Sequence, residues 1–434
     1  MHGGSLKMST QLTEAKKGHL TKEMRAVAIC ESIDPQIVLT EIASGHAVLP
    51  ANKLHKKSRY AIAGRKFRTK VNANIGCSTL ASCEADELKK LHTALEAGAD
   101  FIMDLSVGKN LAKVRQKILK NCPVPLGTVP IYEAFARANN NIKNLNGDLI
   151  LEIIREQAEQ GVDFMTLHAG ILLQHLPLVK KRRLGIVSRG GVIIAEWMTY
   201  HQKENPVYTQ MNKILDICRK HDVTISLGDG LRPGCVSDSS DAAQFAELKV
   251  LGNLVKFCRS ADVQSMVEGP GHLRYDHIKM NIEKEILVCD DAPFYVLGPV
   301  VTDIAPGYDH IVSAIGGTAA AYYGASILCY VTPAEHLGLP TVEEVKEGVI
   351  THKIAAHAAD LAKEITGAIE PDNIISDARM NFDWETQFKT AIDGKKARSR
   401  YLKGNTSKDS YCSMCGEEFC ALRRSREMKK KNVL

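Results

Sequence analysis

Short apolar runs alternating with helix-like segments predict an α/β fold: a (β/α)8 TIM barrel, followed by a small C-terminal helical domain and a cysteine-bearing tail. Three observations carry this reading. Runs such as 101–108, 164–170 and 223–230 each close in a polar or glycine-rich turn, as buried parallel strands do. Segments of helical period, 84–99, 146–161, 210–221 and 241–259, lie between most of them. The strand–helix alternation continues from residue 61 to residue 340, too many units for an ordinary open doubly wound sheet.

In chain order, residues 1–60 read as an N-terminal helical lead-in, with two short helices within 11–51. Residues 61–340 form the barrel, its strands falling in 69–76, 101–108, 125–132, 164–170, 223–230, 263–271, 293–300 and 327–336. A ninth apolar run, 185–191, stands too close to Gly170 to be reached through a crossover helix, so it is assigned to a loop after the fourth strand. Residues 341–400 form the helical domain, built from 341–363 and 372–391, and 401–434 form the tail. The polar stretch 394–409 predicts a flexible connection on which the tail can swing.

The chain has 434 residues, 44% hydrophobic and 24% charged, as expected of a globular protein with a sizeable core. Its start carries no long apolar run and no stretch is long and apolar enough to span a bilayer, which predicts a cytoplasmic protein with no membrane partner. The net charge of +6 gathers at Lys180–Arg183 and at Arg423, Arg424, Arg426 and Lys429–Lys431. A nucleic-acid surface would interleave such charge with aromatics, which make up only 6% of the chain. The charge suits solvation, or attraction of an anionic small substrate or cofactor. Of the 12 cysteines, all but those of the tail are scattered singly and read as free thiols.

Cys412, Cys415 and Cys420 are spaced C-x2-C-x4-C. Three thiolates suit a four-iron cluster with one iron left open for a substrate or cofactor. A structural zinc site would need a fourth ligand, and neither His nor Cys follows Cys420. Iron–sulfur cluster, zinc and free thiols are the three readings.

Active sites of such barrels lie at the C-terminal strand ends. There stand Asn74, Met103, Ile131-Tyr132-Glu133, His168, Gly228-Asp229-Gly230-Leu231-Arg232, Glu268-Gly269-Pro270-Gly271-His272, Tyr295 and Glu335-His336. Ser188-Arg189-Gly190-Gly191 precedes a helical stretch; it is either a plain tight turn or a phosphate site in which free N–H groups and the helix dipole act with Arg189 and Arg232. His272 and His336 are either two structural histidines or the ligands of a divalent metal with open positions.

Taken together, VNANIG (71–76), MDLS (103–106), GIVSRGG (185–191), SLGDGLRPG (226–234), VEGPGH (267–272), TDIAPGYDH (302–310), LCYVTP (328–333), EHLGLP (335–340) and the cysteine motif resemble the ThiC family of radical S-adenosylmethionine enzymes, across roughly residues 60–425. The resemblance implies a lyase acting on 5-aminoimidazole ribotide, with a 4Fe–4S cluster on Cys412, Cys415 and Cys420. It implies S-adenosylmethionine as radical source, an external electron donor, and a divalent metal, expected to be zinc, on His272 and His336. By motif, Asn74, Met103, Tyr132, His168, Ser188, Arg189, Gly190, Asp229, Gly230, Leu231, Arg232, Glu268 and Tyr295 would bind the ribotide, with Glu268, Tyr295 and His168 closest to the chemistry. A homodimer is implied in which each tail reaches the partner's site. The chain departs from the thiamine-pathway pattern at Leu273-Arg274-Tyr275, at Ser106-Val107-Gly108-Lys109, along 314–324, at Lys53-Leu54 and at 400–403. Those departures lead to the expectation of a different product, 5-hydroxybenzimidazole for cobamide lower-ligand synthesis, with Arg274 and Tyr275 steering the outcome. The alternative is the phosphorylated hydroxymethylpyrimidine of thiamine synthesis, made by the family's phosphomethylpyrimidine synthases.

Overall fold

The computed structural model describes residues 9–77, 84–108, 110–405 and 411–431. The chain divides into two compact units, Met1–Ile365 and Thr366–Leu434. Within the first, the lead-in forms three helices, one more than its sequence suggests. Gln11–Lys16 is capped by Thr10, Lys22–Glu31 by Thr21, and Pro35–Ser44 by Asp34. The third helix has an N-cap Asp, Pro at its first turn and Gly45 in the left-handed C-cap, the usual punctuation of a short helix. Leu12, Met24, Val27, Val38 and Ile42 bury against Leu49, Ile62 and Phe67 in a core of their own. The strands β1 (Ala47–Val48) and β2 (Ala63–Gly64) pair antiparallel beside it.

Eight parallel strands close into a barrel in the order β10-β3-β4-β5-β6-β7-β8-β9. They are β3 (Lys70–Ile75), β4 (Phe101–Asp104), β5 (Leu126–Thr128), β6 (Phe164–Leu167), β7 (Thr224–Leu227), β8 (Ser265–Gly269), β9 (Phe294–Leu297) and β10 (Ile327–Cys329). Helices surround the barrel, so its strands are buried on both faces and read as continuous apolar runs. Phe164 meets Phe101 edge to face at 5.8 Å. Gly127 on the intervening strand leaves room for that ring: a Cβ there would lie 2.2 Å from it.

Two details differ from the sequence reading. The third strand stops at Thr128, and Ile131, Tyr132 and Glu133 lie in the helix Pro130–Arg137. Pro130 at the first helical position fixes the turn. The helix after the glycine-rich loop begins at Arg189, capped by Ser188, and runs to His201.

Asp163, at the foot of β6, ties the lead-in to the barrel. Its carboxylate takes His55 Nδ1 at 2.6 Å and Lys57 Nζ at 2.5 Å, and the amides of Asn52 and Leu126 at 2.9 Å each. All these partners are needed, because a fully buried carboxylate is stable only when its oxygens are matched. Asp360, on the helix Val342–Ala362, likewise accepts from the amide and hydroxyl of Thr69, at 3.0 and 2.7 Å.

The second unit is a set of short helices around stacked aromatics, with Trp384 over Tyr401 at 4.2 Å and Phe388 beside Tyr401 at 5.7 Å. Residues 394–402, expected to be flexible, are helical: Asp393 caps the helix Gly394–Leu402 and Tyr401 buries into the aromatic stack. The rest of that polar stretch falls partly on 406–409, outside the described residues. No helix among the described residues is long and apolar enough to cross a membrane.

Glu285, on the helix Ile278–Val288, is buried, and neither carboxyl oxygen has a hydrogen-bond partner among the described residues. Burial, reinforced by Asp291, raises its affinity for a proton well above the ordinary carboxyl value of 4.5. The folded state keeps a proton that the unfolded chain releases, so this group costs stability increasingly as pH rises above that value. Glu285→Gln is therefore expected to raise the melting temperature at pH 8, by an amount equivalent to about 1–3 kcal/mol, and by much less at pH 5. Scanning calorimetry at the two pH values checks this; a gain independent of pH would mean that the carboxyl does not titrate as argued.

Candidate active site at the C-terminal mouth of the barrel

A cavity of about 500 Å³ opens at the C-terminal ends of the strands. Its wall draws on the whole barrel: Asn74, Met103, Tyr132, His168, Arg189, Asp229, Arg232, Glu268, His272, Tyr295 and His336, all singled out by sequence, line it. Ser188, Gly190, Gly230 and Leu231 do not line it; they shape the wall from behind.

One side of the floor is a sulfur-containing cluster. Tyr295 Oη donates to Met103 Sδ at 3.4 Å, and Asn74 Nδ2 donates to Cys329 Sγ at 3.1 Å. Burial pushes the Cys329 thiol up to about 12 and raises Tyr295 well above its usual value, so both stay protonated at neutral pH. Glu268, near the end of β8, accepts on Oε1 from Thr166 at 2.6 Å and Ser226 at 2.8 Å, and its carboxyl also meets the Asp229 amide. Burial raises its proton affinity, and the two hydroxyls oppose the shift.

His168 is buried and held neutral, its value brought down to about 3 by burial and by the charge of Arg232. Its Nε2 lies 3.1 Å from Ser188 Oγ, which also accepts from the Gly191 amide at 3.1 Å. A hydroxyl that accepts from one amide is free to donate to Nε2. With that donation the ring proton would sit on Nδ1, which has no partner among the described residues. Gly190 is required here: a Cβ would lie 2.2 Å from the imidazole.

Two guanidiniums face the cavity. Arg189 stacks over the Tyr132 ring at 4.9 Å, and Arg232 bonds Asp229 at 2.9 Å. Arg189 also opens the helix Arg189–His201, whose first-turn amides and dipole favour an anion. Burial pushes the Asp229 carboxyl up to about 7 against the pull of Arg232.

His272 and His336 sit with ring centroids 5.1 Å apart. Each is oriented by a carboxylate on Nδ1, Asp303 and Asp309 respectively, both at 2.8 Å. This leaves Nε2 of each ring as the coordinating atom, the arrangement that second-sphere carboxylates impose on metal-binding imidazoles. Among the described residues no group of three or more His, Cys, Asp or Glu is gathered to hold a metal. Two imidazoles alone could hold a divalent ion only if ligands filled its other positions. Cys412, Cys415 and Cys420 lie in the second unit, around the turn closed by Gly416 N donating to Cys412 O at 3.1 Å and the helix Gly416–Phe419. Cys415 is exposed, Cys412 half-buried and Cys420 buried. Three thiols so spaced could hold a four-iron cluster with one iron left open.

Sequence reasoning passed over Cys329, Thr166, Asp303 and Asp309, and treated Glu335 only as part of a strand end. The lining includes Cys329, Thr166 and Glu335. Asp303 and Asp309 stood inside a quoted motif, yet their pairing to imidazoles is visible only in three dimensions. Arg274 and Tyr275, expected to steer the product, are exposed; Arg274 pairs with Asp276 at 2.9 Å, and neither lines the cavity. Lys109 lies outside the described residues.

The sequence profile described as the Radical SAM ThiC family matches residues 10–427. Two relatives, from two strains of Halobacterium salinarum and each named phosphomethylpyrimidine synthase, are 54% identical over 420 residues, 96% of this chain and 88% of theirs. Among solved structures, dihydropteroate synthase from Xanthomonas albilineans with 7,8-dihydropteroate aligns with TM-score 0.43 at 11% identity, over 72% of this chain and 99% of that one. The Yersinia pestis dihydropteroate synthase gives TM-score 0.40 at 13% identity, over 70% and 97%. These two likenesses are too distant to bear on function. The relatives overturn the expectation of 5-hydroxybenzimidazole as product: identity of this order over nearly the whole chain is to phosphomethylpyrimidine synthases. The exposure of Arg274 and Tyr275 removes the physical ground for that expectation. A profile match over almost all of the described chain, together with these relatives, makes the protein a radical SAM lyase that works with S-adenosylmethionine and a 4Fe–4S cluster: the chain belongs to the radical SAM ThiC family.

Proposed function

We propose that the protein is a phosphomethylpyrimidine synthase that rearranges 5-aminoimidazole ribotide into the phosphorylated hydroxymethylpyrimidine of thiamine synthesis. The observation that carries the reading is the division of the cavity's charge. Arg189, Arg232 and the amino end of the helix Arg189–His201 suit a phosphate, while His168, Tyr295 and Cys329 stay uncharged beside it. The names of the relatives at 54% identity agree with it.

When bound, the cluster and S-adenosylmethionine would supply one-electron radical chemistry. The protein's own groups hold and shield the substrate. Arg189 and Arg232 grip the phosphate, with Ser188, Gly190, Gly230 and Leu231 setting the backbone around it. His168 presents its imidazole, Glu268 its carboxyl, and Asn74, Met103, Tyr132 and Tyr295 enclose the ring system. Asp229, Glu268 and His168 hold or move protons as the skeleton rearranges. His272 and His336 would bind a divalent metal, for which zinc suits the imidazole donors, and Cys412, Cys415 and Cys420 would bind the cluster. Ile304, Tyr308, Ile311 and Ile315 expose an apolar face on and before the helix Asp309–Tyr323, which supports a homodimer. An external one-electron donor completes the system. A cytoplasmic location fits these partners.

The direct test is anaerobic turnover of the cluster-reconstituted protein with aminoimidazole ribotide, S-adenosylmethionine and reductant, with products read by mass spectrometry. The phosphorylated pyrimidine is expected; deoxyadenosine without it would refute the assignment. Arg189→Lys should weaken ribotide binding about tenfold or more, since a forked, charge-assisted contact is lost. It should leave binding of the dephosphorylated riboside unchanged, and equal losses for both ligands in calorimetry would remove Arg189 from the phosphate site. His336→Ala should lose a bound divalent ion, measured by elemental analysis, while keeping its melting temperature within a few degrees; unchanged metal content would exclude the imidazole pair as ligands.

A further inference from the structure

Behind the pocket wall lies a second, much smaller cavity of about 20 Å³, bounded by Asp229, Arg232, Glu247, Glu268, Gln244 and Asn281. A water needs at least about 10–15 Å³ of such space and two to four polar partners. Leu248, Leu251, Pro270 and Phe294 close the rest of the cavity, so a water here would have to bond to the carboxyl oxygens. Asp229 Oδ2 and Glu247 Oε1 are both buried and, among the described residues, neither has a hydrogen-bond partner. Their sister oxygens are committed: Asp229 Oδ1 to Arg232 at 2.9 Å, and Glu247 Oε2 to the Leu231 amide at 2.7 Å. Glu247 projects from the helix Ala242–Ser260, is only 2% exposed and does not line the main cavity.

We propose that Glu247 is a proton-holding residue that serves Asp229, and through it the ribotide pocket, by way of one water in this cavity. The inference rests on the proposed ribotide reading of the main pocket. The step moves one proton and nothing else. Glu247 gives its proton from Oε1 to the water, and the water gives one of its own to Asp229 Oδ2. Glu247 ends as a carboxylate, Asp229 as an acid, and the water is unchanged. Two buried carboxyls that line one small cavity do not both ionise readily, so one proton would stay shared between them. The charged groups that bear on Glu247 are Asp229 and Arg232 from the loop after β7, Glu268 from β8 and Arg182 from the loop after β6. Burial, with Asp229 adding to it, raises the proton affinity of Glu247 well above the usual carboxyl range.

Glu247→Gln keeps the shape and the acceptor for Leu231 but cannot release a proton. In the reconstituted full-length protein, ribotide affinity should stay within about twofold of wild type. Turnover should fall about tenfold or more, the lower end of what proton-transfer groups contribute, and one ionisation should disappear from the kcat–pH profile. Unchanged turnover and profile would overturn the proposal, and so would a parallel loss of affinity and turnover, which marks a purely structural role. A high-resolution crystal structure of the wild-type protein tests the link without any variant. One water within hydrogen-bond distance of both Asp229 Oδ2 and Glu247 Oε1 is expected, and a dry cavity overturns it. If wild-type protein fails to convert the ribotide, the assignment of the substrate falls, and the crystallographic water still decides the Glu247–Asp229 connection.

Discussion

The ladder between β10 and β3 turns a run of parallel strands into a closed barrel, and the site depends on that closure. Ile327, Leu328 and Cys329 pair with Lys70, Val71 and Asn72. This register brings the last strand's thiol to the first strand's amide, so that Cys329 meets Asn74 across a sequence separation of 255 residues. On the other side of β10, the pairing of Ile327 with Tyr295 sets the phenol against the same floor. A slip of one residue at the seam would turn each of these side chains to the opposite face of the sheet. The anchors at the strand feet hold outer parts of the chain to the barrel: Asp163 under β6 holds the lead-in, and Asp360 beside Thr69 at the start of β3 holds the helix Val342–Ala362.

Matching buried charge is the second constraint. At the strand feet, Asp163 has a full set of donors and needs them all. At the mouth, polar atoms are deliberately underused: His168 Nδ1, Asp229 Oδ2 and Glu247 Oε1 lack partners among the described residues. Unpaired buried polar atoms cost about 1–3 kcal/mol each. Such a cost is retained where a ligand or an ordered water restores the missing contacts, and these three atoms face or adjoin the two cavities at the mouth.

Much of this was legible in sequence, because burial on both faces makes parallel strands read as unbroken apolar runs. All eight barrel strands fall within the runs identified, and the glycine-rich 185–191 is a loop leading to a helix, as its spacing required. The misses share one cause: local signals were outvoted or too short. Pro130 starts a helix where the apolar run invited a longer strand. Asp34-Pro35 starts a third lead-in helix within a stretch that suggested two. The polar segment 394–402 is helical because one tyrosine stacks on Trp384. Pairings of Asp303 with His272 and of Asp309 with His336 span 31 and 27 residues and leave no periodic trace. Product choice was misread because changes next to a metal-type histidine look chemical in one dimension, whereas Arg274 and Tyr275 face solvent.

The electrostatic asymmetry of the cavity follows from the same burial. Among the described residues, Arg189 and Arg232 are its only lining guanidiniums, and no lysine lines it. Its carboxyls, Asp229, Glu268 and Glu335, are all shifted toward the protonated form by burial. Their shift weakens the negative charge set against the two arginines, which carry the fixed positive charge of the described lining. A ligand with a single anionic group then has one favourable orientation, phosphate against Arg189 and Arg232 and the neutral heterocycle toward His168, Glu268 and Tyr295. A low-dielectric wall strengthens that preference, and it excludes the water that would quench a reactive intermediate. The burial that costs the site its ordinary acidities is therefore the same property that orients the ligand and keeps its chemistry dry.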